Sequence, residues 1–381
     1  MSSDPLYLLA ALALIVAITE WLCRHTFLRH LGTALLVIIL TAIVANLGWI
    51  PTYSDDIRVY SGTFKFLAPL AIFWLLLGVR LKDVLKAGKT MILLFLIGSL
   101  GTALGVIVGM HTVGGKEAIG ELYYAIAGMF VGTYTGGSVN FNAIALEYGV
   151  VKEGGLYAGA AAVDSLMTTI WMAVNLIIPR VFSKRKNTEQ AVTAVESGVD
   201  DDTESVHPVD LAWLLALGGL CVAASNTLAA WLKLNTGFAV PSILILTTFA
   251  LVLAQLPIIA RLRGARLLGM FAVYIFLAVI GALCDISALR SIGDLGVTLF
   301  LFACIVVTVH GLLIYGAAAL LRVDPVVASV ASQANVGGGT SALAVARSLG
   351  RPDLVLPSIL IGALGSALGT YLGFLTAEFL R

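Results

Sequence analysis

Two glycine-rich polar strings interrupt otherwise apolar sequence, and they hold the residues best suited to binding chemistry. The first is Gly132-Thr133-Tyr134-Thr135-Gly136-Gly137-Ser138-Val139-Asn140-Phe141-Asn142; the second is Ser332-Gln333-Ala334-Asn335-Val336-Gly337-Gly338-Gly339-Thr340-Ser341. Adjacent glycines among hydroxyl and amide side chains do not hold a regular helix, and irregular backbone at membrane depth is tolerated only inside protein or beside water. Both strings are therefore expected to line a cavity. Helices that end at such breaks present free amides and positive dipole ends to an anion, while freed carbonyls can coordinate sodium. The expected solute- or ion-binding side chains are Thr135, Ser138, Asn140, Asn142, Gln333, Asn335, Thr340 and Ser341, with main chain from Gly136, Gly137, Gly337 and Gly338.

Asp164 lies ten residues into another apolar stretch, beside Ser165 and one turn before Thr168. A carboxylate at that depth is costly, which suits a proton or sodium site; the competing reading is a hydrogen-bonded acid that fixes helix packing. A sodium ion is expected near Asp164, Asn140 and Asn335. The second half offers Gly365 and Ser366 at the equivalent position, so Ser366 joins the candidates and no second acid does.

Other polar groups have plainer explanations. Glu20 lies near an interface, Asp285 at a segment end, and His310 is a lone imidazole; snorkelling or satisfied packing accounts for each. Gly101, Gly105, Gly109 and Gly365, Gly369, Gly373 recur every four residues, a pattern of close helix packing. Cys23, Cys221, Cys284 and Cys304 stand apart in apolar surroundings and read as small core residues. Gly88-Lys89-Thr90 lacks the upstream glycine of a phosphate loop, and HExxH and GxSxG are absent. Asp164 has no spacing that pairs it with Asp285 or Asp294 as an intramembrane protease would require.

The elements that must position these residues follow from composition. Of 381 residues, 59% are hydrophobic and 12% charged, against about 25% charged in water-soluble domains. A net charge of +1 excludes a phosphate-backbone partner. Twelve apolar segments are expected, near 6–23, 31–50, 66–81, 90–110, 121–149, 155–180, 209–232, 239–258, 266–286, 295–320, 325–349 and 353–379. Leu6 opens the first with no basic residue ahead of it, so that helix is expected to be retained rather than cleaved as a signal peptide.

A polar linker at 183–208, expected to be disordered and cytoplasmic, separates a first repeat (1–182) from a second (209–381). A register of 201 residues aligns Gly136, Gly137, Ala143, Ala145, Gly149, Ala162, Ser165 and Thr169 with Gly337, Gly338, Ala344, Ala346, Gly350, Ala363, Ser366 and Thr370. If all twelve segments cross, alternate loops carry 11 and 12 of the 23 basic residues, and no orientation results. If the fifth and eleventh dip in and return, the split is 16 against 7 with both termini outside. Five crossings per half then make the second half inverted, and the two polar hairpins meet near the midplane. The alternative keeps both segments as broken crossing helices.

At Thr135-Gly136-Gly137-Ser138-Val139-Asn140-Phe141 and Ala331-Ser332-Gln333-Ala334-Asn335-Val336-Gly337-Gly338, the sequence resembles the membrane family called domain-of-unknown-function family 819, over nearly the whole chain. That family is grouped with the cation-proton antiporter and anion transporter superfamily, which includes sodium-coupled glutamate and bile-acid symporters. The resemblance implies inverted repeats with paired discontinuous helices at a central site, and an acid or amide on the next helix binding sodium or a proton; Asp164 occupies that position. It implies no substrate. The superfamily's discontinuous helices cross, whereas the charge count favours hairpins.

The expectation is an all-α polytopic membrane protein of about 10–12 transmembrane segments, built as two inverted repeats and sited in a bacterial inner (plasma) membrane. Its expected function is secondary active transport: a small, anionic organic solute moved by alternating access, coupled to sodium or protons. The alternatives are a sodium-proton antiporter and, more remotely, an intramembrane hydrolase. No enzymatic activity and no cofactor beyond the coupling ion are expected. The expected partners are a small-molecule solute and the lipid bilayer, with a homodimer as the assembly to test.

Overall fold

The computed structural model describes residues 4–26, 28, 32–52, 57–182, 206–237, 240–284 and 289–381. Linker residues 183–205 and Asp285 lie outside the described residues, as does the side chain of Asp294. The described residues are mostly helical, and no strand occurs among them. In chain order the principal helices are α1 (Pro5–His25), α2 (Thr33–Asn46), α3 (Arg58–Leu76), α4 (Lys89–Thr112), α5 (Tyr123–Gly136) and α6 (Ser138–Glu147). They continue with α7 (Gly154–Phe182), α8 (Pro208–Thr236), α9 (Ser242–Ala254), α10 (Ala265–Leu283), α11 (Leu289–Leu320), α12 (Pro325–Ser348) and α13 (Val355–Leu380).

Three helices begin with proline, whose missing N–H costs nothing in the first turn. The preceding side chain caps the turn: Asp4 accepts from the Tyr7 amide at 2.9 Å, Asp324 from the Val326 amide at 2.9 Å, and His207 from the Val209 amide at 3.4 Å. Among the described residues, eight helices are long and apolar enough to cross a membrane, namely α1, α3, α4, α7, α8, α10, α11 and α13; α2 and α9 are shorter apolar helices. Because a helix pairs its interior backbone groups within itself, such elements meet the bilayer's central demand. The third helix starts at Arg58 rather than near residue 66, because Arg58, Ser61 and Lys65 mask its apolar character in the sequence. Pro69 cannot donate to Lys65, and α3 opens there into a π turn at Thr63–Leu67, with Ala68 bonded back to Thr63.

The helices gather into two compact units, each drawing on both halves of the sequence. One comprises Met1–Gly78, Ala145–Ser165 and Asp201–Val297. Within it α10 packs on α2, where a Cβ at Gly281 would lie 2.8 Å from Thr41 Cβ, and the Trp74 indole donates to the Leu214 carbonyl at 2.9 Å. Phe64 and Tyr157 both meet Phe276 edge-on, with ring centroids 5.7 and 6.3 Å away.

The other unit comprises Val79–Ile144, Leu166–Asp200 and Thr298–Arg381. Its closest packing is glycine on glycine between antiparallel α5 and α13. A Cβ at Gly128 would lie 2.7 Å from the Gly373 carbonyl, one at Gly369 2.7 Å from the Gly132 carbonyl, and one at Gly365 2.8 Å from Gly136 Cα. Gly105 and Gly109 of α4 lie equally close to Val306 and Phe302 of α11. Packing therefore accounts for both four-residue glycine series.

Candidate functional site: two helical hairpins and their tips

The two polar strings are the turns of helical hairpins. At Gly137 (φ 95°, ψ 178°) the chain leaves α5 in a conformation that strains any L side chain, and α6 folds back along it. A Cβ at Gly132 would lie 3.1 Å from Asn140 Cβ and 2.8 Å from Ile144 Cδ1. A straight helix would separate residues 132 and 144 by about 18 Å. Gly338 (φ 77°, ψ −178°) turns α12 in the same way. There Gln333 Nε2 donates to Ser341 Oγ at 3.2 Å across eight residues, and Arg351 closes the hairpin's base by donating to Asp324 at 2.6 Å.

Both tips abut the middle of α13. A Cβ at Gly136 would overlap the main chain of Gly365 and Ser366, and Gly339 contacts Gly362, one turn away. Ser366 Oγ donates toward the Gly136 and Gly362 carbonyls, each at 3.2 Å.

Around the tips, hydrogen bonds form two chains with fixed direction. In the first, Trp171 Nε1 donates to Ser332 Oγ at 2.9 Å, and Ser332 lies 2.9 Å from His310 Nε2. His310 Nδ1 lies 2.9 Å from the Gly98 carbonyl, which can only accept, so Nδ1 carries the proton and Nε2 receives the Ser332 hydroxyl. Thr102 Oγ1, 3.1 Å from Nδ1, passes its own proton to the Tyr134 carbonyl at 3.1 Å. In the second chain, Tyr315 donates to Asn175 Oδ1, Asn175 Nδ2 to Gln333 Oε1 at 2.8 Å, Gln333 to Ser341, and Ser341 to the Gly338 carbonyl at 3.0 Å.

Against that saturation, three buried polar atoms at the tips lack a hydrogen-bond partner among the described residues: Thr135 Oγ1, Asn140 Nδ2 and Asn335 Oδ1. All three residues have no solvent exposure. The remaining amide atoms are bonded: Asn140 Oδ1 accepts from Thr370 at 2.7 Å, and Asn335 Nδ2 donates to Ser99 at 2.9 Å. A buried polar group left unsatisfied costs about 1–3 kcal/mol, so each of these atoms is expensive unless water or a ligand completes it. Between them they present a donor suited to an anion and two oxygens suited to a cation or a ligand N–H.

The other candidates fall as follows. Asn142 is buried, while Ser138 and Thr340 are exposed beside their respective turns. Thr168 Oγ1 reaches the Val336 carbonyl at a long 3.5 Å, and Gly337 is enclosed by Ser341, Gln333 and Thr168. Asp164 and Ser165 are half-buried on α7 and belong to the first unit; the tips belong to the second. Glu20 is bonded to Arg24 and Thr33, each at 3.0 Å. No cluster of three or more His, Cys, Asp or Glu occurs among the described residues, so a metal ion at the tips would take hydroxyl, amide or carbonyl oxygens.

Sequence reasoning missed Ser99, Thr102, Trp171, Asn175, Tyr315 and Thr370. A readable signal existed on α7, where Asp164, Thr168, Trp171 and Asn175 repeat at helical spacing as one polar stripe.

These helices define a multi-pass integral membrane protein. The chain belongs to the family described as protein of unknown function (DUF819), which matches residues 7–381. It is similar to the uncharacterized membrane protein YjcL of Bacillus subtilis (strain 168), with 28% identity over 369 residues, 92% of this chain and 90% of that protein.

Proposed function

We propose that this protein is a secondary active transporter that moves a small anionic organic solute, coupled to sodium or protons, and that the hairpin tips are its binding site. The observation that carries the reading is the unsatisfied set Thr135, Asn140 and Asn335, fully buried within a turn of two left-handed glycines whose tips abut one spanning helix. Transporters bind cargo at midplane breaks of this kind.

Internal symmetry supports the reading. Gly137 and Gly338 are 201 residues apart, as are the positive-φ residues Gly149 and Gly350 and the first residues of α7 and α13. The packing is reciprocal: α5 of the first half lies on α13 of the second, and α12 of the second bonds to α7 of the first. With arms of 14 and 10 residues, the first hairpin is about 21 and 15 Å long, enough for its tip to reach the middle of a core of about 30 Å. With the shorter apolar helices α2 and α9 also crossing, two re-entrant hairpins leave five crossings in each half, and the halves are inverted repeats. Asp164 is the coupling acid, the protein has no enzymatic role, and its partners are the solute, the bilayer and a second copy in a homodimer.

Proteoliposome uptake tests this. Accumulation of an organic acid that requires a sodium or pH gradient, and loses that requirement in Asp164→Asn, is the expected result. Sodium-proton exchange indifferent to every solute would replace the proposal with an antiporter.

A further inference from the structure

A further cavity lies in the first unit. A cavity of about 280 Å³ is lined by Lys65 on the π turn of α3, Glu147 at the end of α6, Asn226 on α8 and Ser242 on α9, with Phe64 and Leu246 among its apolar walls. Lys65 and Glu147 bear opposite charges on the same cavity, yet among the described residues neither has an ion-pair partner. Glu147 accepts from the Ile243 amide, and the Lys65 ammonium lies 5.3 Å from the Phe66 ring centroid. The Asn226 amide is also without a hydrogen-bonding partner among those residues. Both side chains are exposed at the cavity, and two opposite charges that border one cavity without meeting offer complementary partners to a ligand bearing both signs.

We propose that this cavity binds a zwitterion, with its primary ammonium on Glu147, its oxyanion on Lys65, and its carbon skeleton against Phe64 and Leu246. An ethanolamine phospholipid headgroup and a free α-amino acid share this chemistry. The site is independent of the hairpin tips and of the transport reading.

The test is thermal shift of the purified full chain in detergent, titrated separately with phosphatidylethanolamine, phosphatidylglycerol, phosphoethanolamine, leucine and inorganic phosphate. Saturable stabilisation by at least one zwitterion, absent with phosphatidylglycerol and inorganic phosphate, is expected. A response to phosphatidylethanolamine alone assigns the lipid, and a response to leucine or phosphoethanolamine assigns a soluble ligand. K65Q and E147Q should each weaken binding about tenfold, the loss of one charge-assisted hydrogen bond. Leu246→Trp, which fills the cavity without altering its charge, should abolish the response, and K65E/E147K should recover part of it with the ligand reversed. Equal stabilisation by phosphatidylglycerol or phosphate, no response to any zwitterion, or wild-type affinity in K65Q and E147Q would overturn the proposal.

Discussion

Replacing Gly365 with alanine attacks the contact on which the first tip rests. The new methyl would lie 2.8 Å from Gly136 Cα and 3.2 Å from Phe95 Cζ, and would overlap the Thr135 carbonyl. Carbon atoms pack at about 3.5–4.0 Å, so α5 and α13 must separate by roughly 1 Å. Overpacking of this kind costs about 1–3 kcal/mol. The same separation would stretch the 3.2 Å bond from Ser366 to the Gly136 carbonyl beyond hydrogen-bonding range, adding about 1 kcal/mol. The expected loss is about 2–4 kcal/mol, a fall in apparent Tm on the order of 5 °C. Gly316→Ala on α11 is the control: a Cβ there meets nothing within 4 Å, and alanine favours helix by about 0.5–1 kcal/mol. Tryptophan fluorescence during heating in detergent reads both variants. If G365A melts with G316A or above it, the glycine-on-glycine account of the tip is wrong.

Thr370→Val should cost about 1–3 kcal/mol by orphaning Asn140 Oδ1 as well as its nitrogen, and Thr370→Ser should restore most of it, both read by the same melt. Arg351→Gln should open the base of the second hairpin, seen as faster amide exchange across 325–348 with 123–136 unchanged. The Lys86 ammonium, 2.6 Å from Asp83, holds that carboxyl below its usual range, so the pair stabilises the fold only while Asp83 is ionised. The Tm difference between wild type and Lys86→Met should therefore be steady above about pH 4, vanish as the pH falls through the depressed Asp83 value, and shrink in high salt.

What was legible in the sequence was what depends on near neighbours. Apolar runs of spanning length marked the helices, and paired glycines amid Thr, Ser and Asn marked both turns, because only a residue without Cβ adopts the geometry of Gly137 and Gly338 without strain. The start of α3 was hidden because Arg58, Ser61 and Lys65 lower its hydropathy while still lying on a helix. Partners distant in sequence were not legible. Nothing local links Trp171 to Ser332, Asn175 to Tyr315 or Asn140 to Thr370, and each pair forms because helices from opposite halves pack together. Gly365, Gly369 and Gly373 read correctly as a packing stripe, but not as the seat of a tip.

Cryo-electron microscopy of the full chain in lipid nanodiscs, with the coupling ion and an accumulated solute present, tests the central claim most directly. The account predicts both glycine turns at the bilayer midplane, with non-protein density within hydrogen-bonding distance of Asn140 Nδ2 or Asn335 Oδ1. Turns lying at the headgroups, or midplane tips whose Asn140 and Asn335 bond only to protein, would contradict it.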